Sequence, residues 1–310
     1  MTGVTITVCT RDRQAELERC VRSVVAAESP HDVPVEVLVI DDGELPGTFT
    51  RWLEQAVRNR GHSFTYVRQK GRHGLIHGRV TAVRHAVSDV LLFLDDDVEI
   101  HPDYLKKLAK CYREHPEAAG IGGVDTLTGR LPAIRSLFAR VFLLDSGAPG
   151  RLSPSGFSWS MAGWALQREP FPTEVLSGCN MSFRPRALQT LAPVPWLEGY
   201  SLAEDVYLSW VAAAHGPLWI DPALRVRHHR SSAARMPDDA LAYSTIVNPY
   251  HLLRARKARS WNYIALFWTV TGLMAKDLLR PGRWGSLRGY VRGLRHITSD
   301  LLKNPLVRPY

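Results

Sequence analysis

Residues 91–100 read LLFLDDDVEI: four apolar residues run into three consecutive carboxylates, Asp95, Asp96 and Asp97. A short apolar run with no alternation is the pattern of a strand buried on both faces, and such strands belong to parallel sheets covered by helices. The chain before this stretch repeats the pattern. VTITVC (4–9), VEVLVI (35–40), FTYVRQ (64–69) and VLLFL (90–94) predict strands, while 14–27, 48–59, 75–87 and 102–114 carry helical spacing. Strands alternating with helices predict an α/β fold, Rossmann-like, with a mostly parallel central sheet and helices on both faces. Ligands of such sheets sit beyond the carboxyl ends of the strands, and both Asp41-Asp42 and Asp95–Asp97 fall there.

The acid triplet also carries a chemical constraint. Adjacent carboxylates repel one another unless a cation or hydrogen-bond donors neutralise them. A hard divalent ion such as Mn²⁺ or Mg²⁺, bridging to substrate phosphates, meets that need; a solvated Asp-rich turn, or a cap for the helix after Pro102, is the alternative.

The second half is less regular. Residues 126–176 are rich in Gly, Pro and Ser, contain GFSWSMAGW, and are expected to be loop near a binding cleft. SGCNMSF (177–183) predicts a short strand, LAEDVYLSWVAAA (202–214) a helix, and LWIDPALRVRHHR (218–230) strand, turn and strand.

Charge and cysteine usage narrow the class. The 310 residues carry a formal net charge of +9, and from 251 onward twelve Lys and Arg face only Asp277 and Asp300. That basic tail, rich in Trp, Leu and Phe, suits an anionic membrane surface; a packed helical region with a solvated basic face is the other reading. The apolar stretch 261–275 is shorter than the ~20 residues a spanning helix needs, so a buried or membrane-surface helix is expected. Cys9, Cys20, Cys111 and Cys179 form no CxxC pair, and the first residues run straight into a strand pattern. Reduced thiols, no signal peptide and a cytoplasmic setting, peripheral at the inner face of the cell membrane, are the expectation. No GxGxxG follows the first strand, which excludes a dinucleotide-binding dehydrogenase, and no motif supports a nucleic-acid partner.

The ordered set VTITVCTRDRQAELERCVRSVV, VEVLVIDDGE, GLIHGRVTAV, LLFLDDDVEIHPDYL, SGCNMSFRPRAL and GYSLAEDVYLSWVAAAHG resembles an inverting family 2 glycosyltransferase of the GT-A type over most of residues 3–230. The resemblance implies a GT-A fold with a C-terminal helical extension. It divides the chain into a nucleotide-sugar half (1–125), an acceptor and catalytic half (126–235) and a basic helical region (236–310). The implied activity is transfer from a UDP- or dTDP-linked sugar to a hydroxyl acceptor, either lipid-linked or a saccharide precursor of a polysaccharide or cell-surface glycan. The alternative is a non-catalytic nucleotide-binding or membrane-adaptor protein on the same fold.

The resemblance also assigns residues. Thr10 and Arg11 would lie against the nucleotide. Asp41 or Asp42 would accept a hydrogen bond from the base, and Arg79 would stand near the sugar-nucleotide. Asp95 and Asp97 match the DxD acids, with Asp95 at ribose or metal, Asp97 on the metal, and Asp96 reaching the donor sugar. His228 would complete the metal site, against a surface or packed histidine. Gly178 and Asn180 would line the donor-sugar pocket. Asp205 would be the base that deprotonates the acceptor hydroxyl, with Glu204 at the acceptor; a dipole-favoured acid pair at a helix start is the alternative. Trp164, with Trp159 and Trp196, would stack on acceptor sugars or else belong to the core. The family often has Asn soon after the arginine position, where this chain has Val80.

Overall fold

The computed structural model describes residues 3–30, 32–199, 201–231, 236–280 and 282–306. Apolar runs become strands and amphipathic runs become helices in the expected alternation. The order is β1 (Val4–Thr10), α1 (Gln14–Ala26), β2 (Val35–Asp41), α2 (Gly47–Asn59), β3 (Ser63–Arg68), α3 (Leu75–His85) and β4 (Val90–Asp95). Then follow β5 (Val98–Ile100), α4 (Tyr104–Glu114), β6 (Gly120–Asp125), α5 (Ala133–Val141), β7 (Phe171–Thr173), β8 (Asn180–Phe183), α6 (Glu204–Ala213) and β9 (Leu218–His228). Three helices close the sequence: α7 (Asp238–Ala255), α8 (Ser260–Leu278) and α9 (Trp284–Lys303).

The chain divides into two compact units. The first comprises Met1–Arg130, Ala162–Val194 and Glu204–Ala233, and holds a nine-stranded sheet in the order β3-β2-β1-β4-β8-β6-β9-β5, with β7 beside β9. β1 to β4 run parallel to one another, whereas β8 runs antiparallel between β4 and β6. Val8, Val37 and Leu92 are fully buried and pack with Leu17 and Val21 of α1 and Leu53 of α2. Burying each such side chain is worth about 1.5–3 kcal/mol.

Two features of this sheet position the acids. Register sets Thr10 opposite Asp41 and Cys9 opposite Asp95, so both acidic clusters leave the sheet along one edge. Only Asp96 and Asp97 separate β4 from β5, yet β5 pairs with β9 at the far end of the hydrogen-bonded order. The sheet therefore curls until β9 returns beside the acid turn. Val98 lies opposite His228, which delivers that histidine to the position next to Asp97.

β9 is one eleven-residue strand where strand, turn and strand were expected. Pro222 is absorbed at a register irregularity, where Asp221 Oδ1 accepts the Ala223 N–H at 2.8 Å. β6, GIGGVD, was hidden by its glycines, and these are what let it lie there. A Cβ on Gly123 would stand 2.0 Å from the Leu224 carbonyl oxygen and 2.4 Å from Asn180 Nδ2.

The second unit comprises Leu131–Met161, Pro195–Ala203 and Ala234–Tyr310. The expected boundary at 235 lies outside the described residues, and Leu131–Met161 clusters with the C-terminal helices. The reason is apolar packing. Phe142 stacks on Trp268, and Ala139, Leu144 and Phe157 are buried with Ile246, Tyr250 and Leu266. Part of the expected loop is thus helix α5, begun by Pro132, and Trp159–Leu166 is a 3-10 turn. On α9, Gly289 and Gly293 admit α7: a Cβ on Gly289 would meet the Asp239 carbonyl oxygen at 2.0 Å. Asn248 of α7 donates to the Leu202 carbonyl at 2.7 Å, and His251 stacks on Trp196. Segment Pro195–Ala203 is thereby strapped to α7. Among the described residues no helix is long and apolar enough to cross a membrane.

Candidate active site

The acid turn is built from three carboxylates in three different environments. Asp96 points inward: it is 3% exposed, accepts the Thr10 hydroxyl at 2.7 Å, and pairs with Arg13 Nη1 at 2.8 Å. Burial pushes its pKa up to about 7, against the opposing pull of Arg13 and Thr10. Asp97 is held from three sides. Its Oδ2 accepts Arg13 Nη2 and the Ser231 N–H, each at 2.8 Å, and its Oδ1 faces His228 Nε2 at 3.2 Å. Burial works against ionisation there, but these partners outweigh it and hold the carboxyl well below the usual range. Asp95 is the most open of the three.

His228 is set by backbone as well as by strand register. Its N–H donates to Asp125 Oδ1 at 3.1 Å, and Asp125 also takes Leu127 N–H and the Thr128 hydroxyl. Burial lowers the imidazole's pKa, the bond to Asp97 raises it, and the balance lies at about 10. One ligand atom from each of Asp95, Asp97 and His228 lies within 4.8 Å of the others. Two carboxylate oxygens and one imidazole nitrogen make a donor set that fits Mn²⁺ and accommodates Mg²⁺ completed by water. Arg13 and Ser231 lock Asp97 Oδ2, which leaves Oδ1 for a ligand role.

The second acid pair opens α6, where the helix dipole favours negative charge. Glu204 is buried, and its pKa rises to about 8 through burial first and the charge of Asp205 next. Asp205 is also raised, by burial, against the opposing effect of N–H donors from Val206 at 2.8 Å and Gly178 at 3.3 Å. A Cβ on Gly178 would stand 3.0 Å from Glu204 Oε1, so the carboxyl would have to give by a few tenths of an ångström.

Arg79 joins the two acid groups. Although fully buried on α3, it donates Nη2 to Asp95 at 2.9 Å and to the Gly178 carbonyl at 3.1 Å, and stands 3.7 Å from Glu204. Its guanidinium lies over the Phe93 ring at 4.8 Å. Among the described residues, Nε and Nη1 find no acceptor, a cost a buried cation rarely bears without a ligand or water.

Several expected residues are turned inward. Asp41 is fully buried and accepts Gly43 N–H, Leu45 N–H and the Tyr66 hydroxyl at 2.8, 2.8 and 2.6 Å, so its oxygens are spent on its own loop. Asp42 is the more accessible acid of the pair; it meets His73 Nδ1 at 2.9 Å and the Gly74 N–H at 3.1 Å. The exposed Arg11 side chain reaches within 3.8 Å of it. Asn180 is fully buried, accepting from the Tyr104 hydroxyl and donating to Leu224 O at 3.4 Å, which makes it a strand-to-helix tie rather than a pocket wall. Trp164 is 2% exposed against Phe171 and offers no open face to a sugar. Trp159 packs at the edge of the second unit's core, and Trp196 on His251. Asp96 faces inward, on Thr10 and Arg13.

Sequence reading missed Arg13, Asp125 and Ser231. Arg13 stands in the quoted TRDR turn, where a second cation two residues after Arg11 was a usable signal. Ser231 acts through its backbone N–H, which no residue identity reveals.

A curled sheet with acids on its carboxyl edge is the GT-A glycosyltransferase architecture, and solved structures of that type share it. A mannosyltransferase from Pyrobaculum calidifontis, described in complex with GDP-Man and Mn²⁺, aligns with a TM-score of 0.54 at 16% identity over 98% of this chain and 81% of its own. GalNAc-T7, described with UDP, GalNAc and Mn²⁺, aligns at 0.58 and 16% identity over 98% and 59%. Residues 5–136, somewhat under half of the chain, match the family model described as Glycosyl transferase family 2. Among curated relatives, Probable N-acetylgalactosaminyltransferase 9 of Caenorhabditis elegans is 25% identical over 156 residues, 50% of this chain and 25% of that protein. Inactive polypeptide N-acetylgalactosaminyltransferase-like protein 5 of Macaca fascicularis is 24% identical over 80% of this chain and 56% of its own length. The chain thus spans about a quarter of the first of these relatives and about half of the second.

Proposed function

We propose that this protein is a metal-dependent, inverting glycosyltransferase that moves a sugar from a nucleoside-diphosphate donor to an acceptor hydroxyl. The observation that carries the reading is Arg79, a buried cation linking the metal-type cluster at Asp95 to the acid pair at Glu204-Asp205. The comparisons support donor binding: the aligned structures are described with GDP-Man and with UDP, GalNAc and Mn²⁺.

Asp95, Asp97 and His228 would hold Mn²⁺ or Mg²⁺, which supplies positive charge against the leaving diphosphate. Asp42 and Arg11 are the groups available to the nucleotide, and an accessible Asp42 carboxylate suits the imide N–H of a uracil or thymine base. Asp205 accepts the proton of the acceptor hydroxyl as that oxygen bonds to the anomeric carbon and the bond to the diphosphate breaks. Gly178 and Val206 hold Asp205 in place through their N–H groups. Burial and the charge of Asp205 raise the Glu204 pKa to about 8, which favours keeping a proton on the pair. The acceptor is proposed to be a saccharide or lipid-linked hydroxyl.

The test is transfer from UDP-, dTDP- and GDP-sugars with and without Mn²⁺, with the product anomer read by NMR. Inverted product that vanishes on chelation is expected. Retained configuration would remove Asp205 as base, and nucleotide binding without any turnover would favour the non-catalytic alternative.

A further inference from the structure

The second unit carries an exposed apolar face that its own core leaves uncovered. On α8 the outward positions are Trp261, Ile264, Trp268, Thr271, Ala275 and Leu278, with no charge among them. Ile264 is 71% exposed and Trp261 50%. α5 lies alongside: Trp268 Nε1 donates to the Val141 carbonyl at 2.7 Å, and Thr269 donates to that of Phe142 at 2.7 Å. α5 adds Ile134 and Leu137 to the same unit's surface, 79% and 63% exposed. Side chains of this size, grouped on neighbouring helices, are not the scattered exposure of an ordinary surface.

The charge around this face identifies its occupant. Segments 131–144 and 255–283 contain the exposed Arg135, Arg140, Lys257, Arg259 and Arg280, besides the half-buried Arg256 and the ion-paired Lys276 and Arg283. Their only acid, Asp277, is fully buried. A protein partner for an apolar face is not required to be acidic, whereas a rim of bases around tryptophan and aliphatic side chains matches a bilayer with anionic headgroups. We infer that α5 and α8 form a docking surface for an anionic lipid bilayer, with α8 lying in the plane of the interface. The helix spans about 28 Å at 1.5 Å per residue, and its buried face stays packed on the unit's own core. Ile264, Ile134 and Leu137 enter the acyl boundary, Trp261 and Trp268 sit at headgroup level, and the arginines meet the phosphates. The inference rests on the second unit alone and on no step of the transfer reaction.

Flotation of the full chain with vesicles of phosphatidylcholine, and of phosphatidylcholine mixed equally with phosphatidylglycerol, tests it. Binding is expected to the anionic vesicles only and to weaken with salt. Ile264→Ser and Leu137→Ser should each reduce partitioning by about tenfold, and Arg135→Glu with Arg280→Glu by at least about twentyfold, with thermal stability and nucleotide binding unchanged. No partitioning of the wild type overturns the proposal, as does partitioning that these variants leave intact. A concentration-dependent dimer by sedimentation velocity that Ile264→Ser dissolves, without vesicle binding, assigns the face to a second copy and overturns it as well.

Discussion

Asp205→Asn keeps a similar shape while removing the basic oxygen. Its amide nitrogen gives up one of the two backbone N–H groups that the carboxylate accepts, the longer one from Gly178 at 3.3 Å being the weaker. Turnover should fall by about 10²–10⁴-fold with nucleotide affinity unchanged, as read by initial rates alongside calorimetry. Glu204 gives a stability test with a defined sign. Its pKa is raised on folding to about 8, so the folded state holds the proton more tightly than the unfolded chain. That stabilisation is complete below the ordinary glutamate range and disappears as pH rises through about 8. Glu204→Gln cannot ionise, so its melting temperature should gain on wild type by several degrees between pH 6 and pH 9; parallel curves would show that Glu204 titrates normally. At this scale the sequence revealed residue types better than directions. Asp41 and Asp42 are adjacent and chemically identical, and only the Tyr66 hydroxyl and the Gly43 and Leu45 N–H groups decide which is consumed internally.

Among elements, those with a clear period were legible and those made of special residues were not. β1, β2 and β4 are buried on both faces and announce themselves as apolar runs, and α1, α2 and α4 as amphipathic ones. β6 reads as a turn because three of its six residues are glycine, yet its Gly120, Gly122 and Gly123 are dictated by β8 and β9 passing close by. Gly123→Ala should therefore destabilise the protein by about 2 kcal/mol or more in denaturant titration, far beyond the backbone-entropy benefit alanine ordinarily brings. An unchanged or higher midpoint would mean that β9 moves aside freely. The pairing of β5 with β9 was beyond sequence reach for another reason. Three residues carry little periodic signal, and the curl that returns β9 to the acid turn is a property of the whole sheet. His228 was legible only through the resemblance, since its place beside Asp97 depends on that pairing.

Across the whole molecule, the basic tail does not stand alone. Residues 131–161 and 195–203 cluster with it, so the chain passes between its two compact units several times. Deleting everything after 236 would strip Ala139, Leu144 and Phe157 of the partners that bury them. Such a truncation should yield an aggregating or partly unfolded product and not an active core, as measured by solubility and by loss of a cooperative melt. Recovery of a monomeric, nucleotide-binding fragment would show that the first unit folds unaided. The linear order of composition hid this interleaving, because α5 contributes only nine residues within a Gly- and Pro-rich stretch.

The strap Pro195–Ala203 has a mechanical corollary. Asn248 grips it at Leu202, two residues ahead of Glu204, and Ser201 and Ala203 hold left-handed backbone, an unfavourable conformation for residues with a Cβ. Tension on α7 is thus delivered by covalent bonds to the amide that begins the helix bearing Asp205. Under the proposed function, lesions buried among the C-terminal helices should then surface as losses of transfer with nucleotide binding retained.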